Sequence, residues 1–106
     1  ITTAMRRNTL WVAYFAPYTE ERHQALIGGA QGSRTANVSV LGETLDGRPL
    51  DLITIGDPTS DKPVIWVTAR QHPGESMAEW WMEGFLERLL DITDQMSLKL
   101  LEQASL

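Results

Sequence analysis

His72 and Glu75 stand three residues apart, with Pro73-Gly74 between them. A histidine offers a neutral imidazole nitrogen and a glutamate a carboxylate oxygen, and both ligate zinc. The Pro-Gly turn brings the Glu75 carboxylate back toward the point that His72 faces. Two ligands on a rigid strand end are preorganised for one zinc ion. A catalytic zinc needs a third protein ligand as well, and an open position for the water it activates. The chain has no cysteine, which excludes a disulfide framework, an iron–sulfur site, a cysteine nucleophile and thiolate-held zinc. Any metal must therefore be held by histidine and carboxylates. A bare H-x-x-E also arises by chance, so the spacing alone leaves an ordinary turn and a metal half-site both open. Its placement after an apolar run and before a helix favours the metal, because ligands in open α/β sheets bind outside the carboxyl ends of strands.

Other residues with chemical capacity have plainer readings. His23, the other of the two histidines, is read as a helix-surface or capping residue and not as a third ligand. Arg70 lies either near the metal or in a pair with a carboxylate. Ser76 is read as a helix N-cap, since no histidine base is assured beside it. Trp80 and Trp81 fall at helical spacing and are read as core. Glu79, Glu83 and Glu87 are read as a solvated face. Gly28, Gly29 and Gly32 make no phosphate loop, because no strand leads into them and no lysine follows.

The elements that position these residues can be read in chain order. Leu10–Phe15 is aromatic and β-branched, which predicts a strand that Pro17 ends. Thr19 caps a helix running to about Ala30, with Glu20 and Glu21 in its first turn. Asn37–Leu45 and Pro49–Gly56 alternate apolar and polar around Asp46-Gly47, which predicts a hairpin with a type I′ turn. Val64–Ala69 has almost no polar residue and predicts a strand buried on both faces. Ser76–Leu90 predicts a helix with Met77, Trp80, Trp81, Gly84, Phe85 and Leu89 on one face. A last short helix is expected from about Ser97 to Ala104. The order predicts an α/β sheet packed by helices.

Composition bounds the rest. The 106 residues are 42% apolar and 22% charged, which suits one small globular unit. The net charge is −5 and the nine basic residues are scattered, so no basic stripe offers itself to nucleic acid. No apolar run reaches a membrane span, and ITTAMRRNTL lacks the pattern of a signal peptide. The chain opens without methionine and reads as beginning inside a longer product.

Three stretches, AYFAPYTEERH at 13–23, LGETLDGRPLDLITIG at 41–56 and VTARQHPGESMAEWWMEGFLERLL at 67–90, resemble the M14 zinc metallocarboxypeptidases, in particular the cytosolic carboxypeptidase-like branch. The resemblance implies a partial mixed-sheet carboxypeptidase-like α/β fold: strand, helix, β-hairpin, buried strand, helices. It implies zinc as cofactor with His72 and Glu75 as two of its ligands. It places the third ligand, the residues that hold the substrate carboxylate and the general-base glutamate downstream of Leu106. Residues 1–16 would close a preceding β-rich domain or linker, and 17–106 would form the N-terminal part of a catalytic domain. The parent would be a cytoplasmic carboxypeptidase acting on peptide or protein C-termini, with this chain inactive alone; the alternative is an inactive α/β fragment that only associates. In the family fold the strand before His72 lies between strands from later in the sequence. Both its edges would then be unpaired here, which predicts either a homo-oligomer that pairs or swaps strands, most simply a two-fold dimer, or a hairpin rearranged to cover the orphaned strand.

Overall fold

The computed structural model describes residues 8–106. Five elements follow one another: α1 (Glu20–Gln31), β1 (Ala36–Glu43), β2 (Pro49–Ile55), α2 (Ser76–Leu89) and α3 (Gln95–Gln103). This is a mixed α/β arrangement built on a two-stranded antiparallel sheet. The strand expected at Leu10–Phe15 does not form: among the described residues no partner strand lies beside it, and Trp11 and Tyr14 are 91% and 93% exposed.

Helix α1 begins where Thr19, in an extended conformation, accepts a hydrogen bond from the Arg22 N–H. Glu20 and Glu21 then sit where the helix dipole favours negative charge. Ile27 and Ala30 are its buried residues.

In the hairpin, Val38 pairs with Ile53 and Val40 with Asp51, and an irregularity at Leu41 leaves that residue without a partner. The turn differs from the expected type I′. The Thr44 N–H donates to Arg48 O and the Gly47 N–H to Thr44 O, which makes a three-residue loop of Leu45, Asp46 and Gly47. Only Gly47 takes a positive φ, at 72°. A turn with one left-handed residue needs one glycine, and Asp46 keeps ordinary backbone geometry. Leu45 sits fully exposed at the tip.

The apolar run Val64–Ala69 forms no continuous strand. It makes one parallel bridge, Val64 to Ser105, and Val64, Ile65 and Trp66 are 49%, 41% and 70% exposed. The physical reason is a shortage of neighbours. The residues that do pair with its start are the chain's own last ones, so one edge is not bare as expected. Ser105 N–H donates to Pro63 O and Ile65 N–H to Ser105 O. On the other side of this tail, Ile55 and Leu106 exchange both backbone hydrogen bonds at 2.7 and 2.9 Å. Residues 104–106 thus run between the end of β2 and the residues that lead toward His72.

The core gathers at this junction. Ile55, Leu86 and Leu89 are buried, with Leu26, Ile53, Met82, Phe85, Leu90, Leu100, Leu101 and Leu106 packed against them. Helix α3 starts two residues earlier than expected, because Asp94 accepts hydrogen bonds from the N–H groups of Met96 and Ser97. The radius of gyration is 17.3 Å, against about 13 Å for a compact domain of this size. Residues 8–17 and the turn end of the hairpin, residues 39–50, are exposed, while Ile53 and Ile55 at its other end join the core.

Candidate metal centre

The turn that leads into α2 carries His72 and Glu75. The Glu75 N–H donates to His72 O at 3.0 Å, which folds the two residues back on each other. His72 Nδ1 then lies 3.1 Å from both carboxylate oxygens of Glu75. Both side chains are open to solvent, 79% and 49% exposed. Neighbouring N and O ligands of one tetrahedral zinc stand about 3.3 Å apart. The two donor groups therefore have the chemistry and separation of adjacent zinc ligands. Among the described residues, no set of three or more His, Asp and Glu side chains gathers as a metal site.

Glu75 occupies the N-cap position of α2 but makes no side-chain cap bond, which leaves its carboxylate free to face His72. Ser76 is not the cap that the sequence suggests. It is buried, and its hydroxyl donates to Ala16 O at 2.8 Å, where the Trp80 indole N–H also donates. Both tie the segment before α1 to the first turns of α2. Trp81 lies outside the core: it is 54% exposed and stacks on Phe85 with ring centroids 5.2 Å apart.

Arg70 resolves toward a carboxylate, and toward more than one partner. Its guanidinium pairs with Glu79 and donates through Nη1 to Tyr18 O and through Nε to Pro73 O, inside the His72–Glu75 turn. Its φ of 55° is the one positive value outside glycine among the described residues. Such a conformation costs on the order of 1 kcal/mol and persists where surrounding bonds fix it; here three acceptors do so.

Two of the three glutamates read as a solvated face are not solvated. Glu79 is 13% exposed at its side chain and faces Arg70 and His23; Glu83 is 16% exposed and faces Arg22. Glu87 is exposed, as expected. His23 is half-buried rather than a surface residue: Nδ1 is 2.8 Å from Glu79 and Nε2 3.3 Å from Asp51. It joins α1 to α2 and β2. Glu83 accepts from the Tyr18 hydroxyl at 2.7 Å and from Arg22 Nε at 2.8 Å, and the Arg22 guanidinium lies 4.0 Å from the Trp80 ring centroid. The Arg22 and Tyr18 donors hold the Glu83 carboxyl below its ordinary value. Burial, reinforced by Glu83, pushes the Tyr18 hydroxyl well up.

A sequence reading finds none of these pairings, because each joins residues far apart in the chain. The available signal is narrow. Glu75, Glu79, Glu83 and Glu87 recur every four residues, so they form one stripe along α2 beside the stripe of Leu86 and Leu90. Four carboxylates in line at the margin of an apolar face call for cations from an adjoining element, and Glu79 and Glu83 meet them.

Comparison with known proteins places the chain in a family. Residues 28–106 match the Peptidase_M14 family of zinc carboxypeptidases, and the chain belongs to that family. A metallo-carboxypeptidase from Burkholderia cenocepacia superposes with a TM-score of 0.81 at 46% identity, over 87% of this chain and 26% of that one. An uncharacterised protein of Zymomonas mobilis is 48% identical over 93% of this chain and 25% of its own length. Cytosolic carboxypeptidase 2 of Danio rerio is 35% identical over 82% of this chain and 14% of its own. The chain thus spans about a quarter or less of the length of the relatives it matches.

Proposed function

We propose that this chain is the N-terminal part of the catalytic domain of a zinc-dependent metallocarboxypeptidase, which removes C-terminal residues from peptides or proteins. The observation that carries the reading is the approach of His72 Nδ1 to the Glu75 carboxylate at 3.1 Å in a chain of the M14 family. His72 and Glu75 would each ligate one zinc ion, His72 through Nδ1. Zinc bound there supplies Lewis-acid polarisation of a carbonyl and an acidified water. The protein residues set its place: His72 and Glu75 present their donors on one turn, and the buried Ser76 anchors the start of α2 behind them. The third ligand, the groups that hold the substrate carboxylate and the general base come from beyond Leu106. Residues 17–106 form the catalytic part, and residues 1–16 close the domain or linker that precedes it. The names of the cytosolic carboxypeptidase relatives support a cytoplasmic setting; no described helix is long and apolar enough to cross a membrane.

Zinc titration followed through the imidazole resonances of His72 tests the ligand pair. Selective shifts of His72 and Glu75, lost in His72→Ala, are expected; no response at either residue would overturn their assignment. Peptide hydrolysis by the longer parent, absent from the 106-residue chain and abolished by His72→Ala in the parent, is expected alongside. Robust release of C-terminal residues by the short chain alone would contradict the split of the site.

A second reading, a fragment that acts by associating with another copy, draws on one observation. Val64, Ile65 and Trp66 leave apolar side chains 49%, 41% and 70% exposed beside a backbone with few partners.

A further inference from the structure

We propose that Arg70 is the positioning residue of the His72–Glu75 turn, held in place by a polar chain that runs through Glu79 and His23 to Asp51. The inference rests on the ligand reading above for its purpose, but its geometry stands apart from any metal. Within the turn, the Glu75 N–H bond to His72 O closes the loop, and Arg70 Nε donates to Pro73 O at 3.1 Å. The same guanidinium is fixed outside the turn by Tyr18 O at 3.2 Å and by the Glu79 carboxylate.

Glu79 is in turn held. His23 Nδ1 sits 2.8 Å from its other oxygen, and His23 Nε2 reaches Asp51, whose side chain is 8% exposed. The line from Asp51 to Pro73 crosses β2, α1, α2 and the turn. His72 and Glu75 themselves are exposed, and among the described residues their side chains make hydrogen bonds or ion pairs only with each other. Their mutual placement therefore depends on the backbone between them, and Arg70 is the side chain that fastens that backbone to the rest of the molecule.

The planar fork explains the residue type. Nε reaches Pro73 O while Nη1 serves both Tyr18 O and Glu79, a fixed spread of donors that suits a planar guanidinium better than an ammonium on a flexible stem. The positive φ at Arg70 aims its side chain back toward the turn instead of along the chain. Glycine at this position would accept the same φ freely and supply no donor.

The test uses the 106-residue chain, isotopically labelled, with zinc ion as the probe. In metal-free protein, amide exchange at Glu75 is expected to speed up at least tenfold in Arg70→Ala and in Arg70→Gly, while exchange at Val38 and Ile53 in the hairpin stays put. The dissociation constant for zinc, read from the His72 ring resonances, is expected to rise tenfold or more in the same variants. Arg70→Lys should fail to restore either value, and Glu79→Gln should move both in the same direction by less. Unchanged Glu75 exchange in Arg70→Ala, or full rescue by Lys, would overturn the positioning role. If His72 does not respond to zinc even in the unaltered chain, the ligand reading fails and the exchange arm still decides the inference. If Arg70→Ala does not fold, Glu79→Gln and Arg70→Lys carry the same two readouts.

Discussion

Leu106 and Ile55 exchange both backbone hydrogen bonds, and Ile55 is 2% exposed. The tail beside them also pairs with Pro63 and Ile65 through Ser105. Deleting residues 104–106 removes five backbone bonds, counting that from Ala104 N–H to Leu100 O, and at about 1 kcal/mol each the loss amounts to several kcal/mol. A large fall in the urea midpoint is expected, with α2 amides near Leu86 and Leu89 losing protection together with Ile55. A midpoint within error of the full chain would show that the tail is not part of the fold.

Gly56 follows Ile55 with φ +88°, and a Cβ there would lie 3.2 Å from the Ser105 hydroxyl. Both the backbone and the space favour glycine. Gly56→Ala is expected to destabilise by about 1 kcal/mol or more. Gly47→Ala, at φ +72° with open space around it, should cost only the backbone part. Equal melting shifts for the two would remove the role of the Ser105 contact.

Much of this fold is legible in the sequence where the cause is local. Thr19 ahead of two glutamates marks the start of α1, and Asp46-Gly47 marks a hairpin even though its turn type differs. The apolar spacing of Ser76–Leu90 locates α2. What fails is whatever depends on a neighbour distant in sequence. Val64–Ala69 has the composition of a buried strand, but composition reports only capacity for burial. Whether a ladder forms depends on which strands lie alongside, and here residues 104–106 reach only its beginning. Glu79 and Glu83 read as solvated because charged residues usually are. His23, 56 residues from Glu79, and Arg22, 61 from Glu83, alter that once α1 crosses α2. The His72–Glu75 pair was readable because three residues and a Pro-Gly turn contain it entirely.

The Tyr18–Glu83 pair sets a stability limit at high pH. Burial and the adjacent carboxylate raise the Tyr18 pKa in the folded chain. Unfolded tyrosine ionises near about pH 10, so the unfolded state loses its proton first and stability falls as pH rises past that point. Tyr18→Phe removes the effect and costs about 1 kcal/mol at neutral pH through the lost hydrogen bond. The melting difference between the two proteins should be steady from pH 6 to about pH 9 and shrink above about pH 10. A constant difference across the whole range would refute the linkage.

Asp94 governs the acid side. Hydrogen bonds from the Ser97 backbone, then the Arg88 side chain, lower its carboxyl to about 2. A depressed carboxylate adds stability above its unfolded value near about 3.9, and that contribution disappears as pH falls through the folded value. Against Asp94→Ala, the full chain should keep a constant advantage in melting temperature at pH 5–7. The advantage should narrow below about pH 4 and close near pH 2. Circular dichroism melts at stepped pH measure it, and an advantage that persists undiminished at pH 2 would mean that the Asp94 charge contributes nothing.

Self-association is the remaining expectation, and exposed apolar surface is its cause. Ile65 and Trp66 lie 41% and 70% exposed, just past the point where Ser105 pairs with the chain. Beyond Ile65, no described residue extends the ladder. Unpaired backbone groups beside apolar side chains template strand addition from another molecule. Two copies related by a two-fold axis could pair these segments with each other, satisfying both at once. Sedimentation should therefore show a concentration-dependent dimer of the 106-residue chain. Trp66→Lys places a charge on the pairing edge while touching no core contact, so it should shift the equilibrium toward monomer without lowering the melting temperature of the monomer. A chain that stays monomeric at every concentration, with Trp66→Lys sedimenting identically, would show that this edge recruits no second copy.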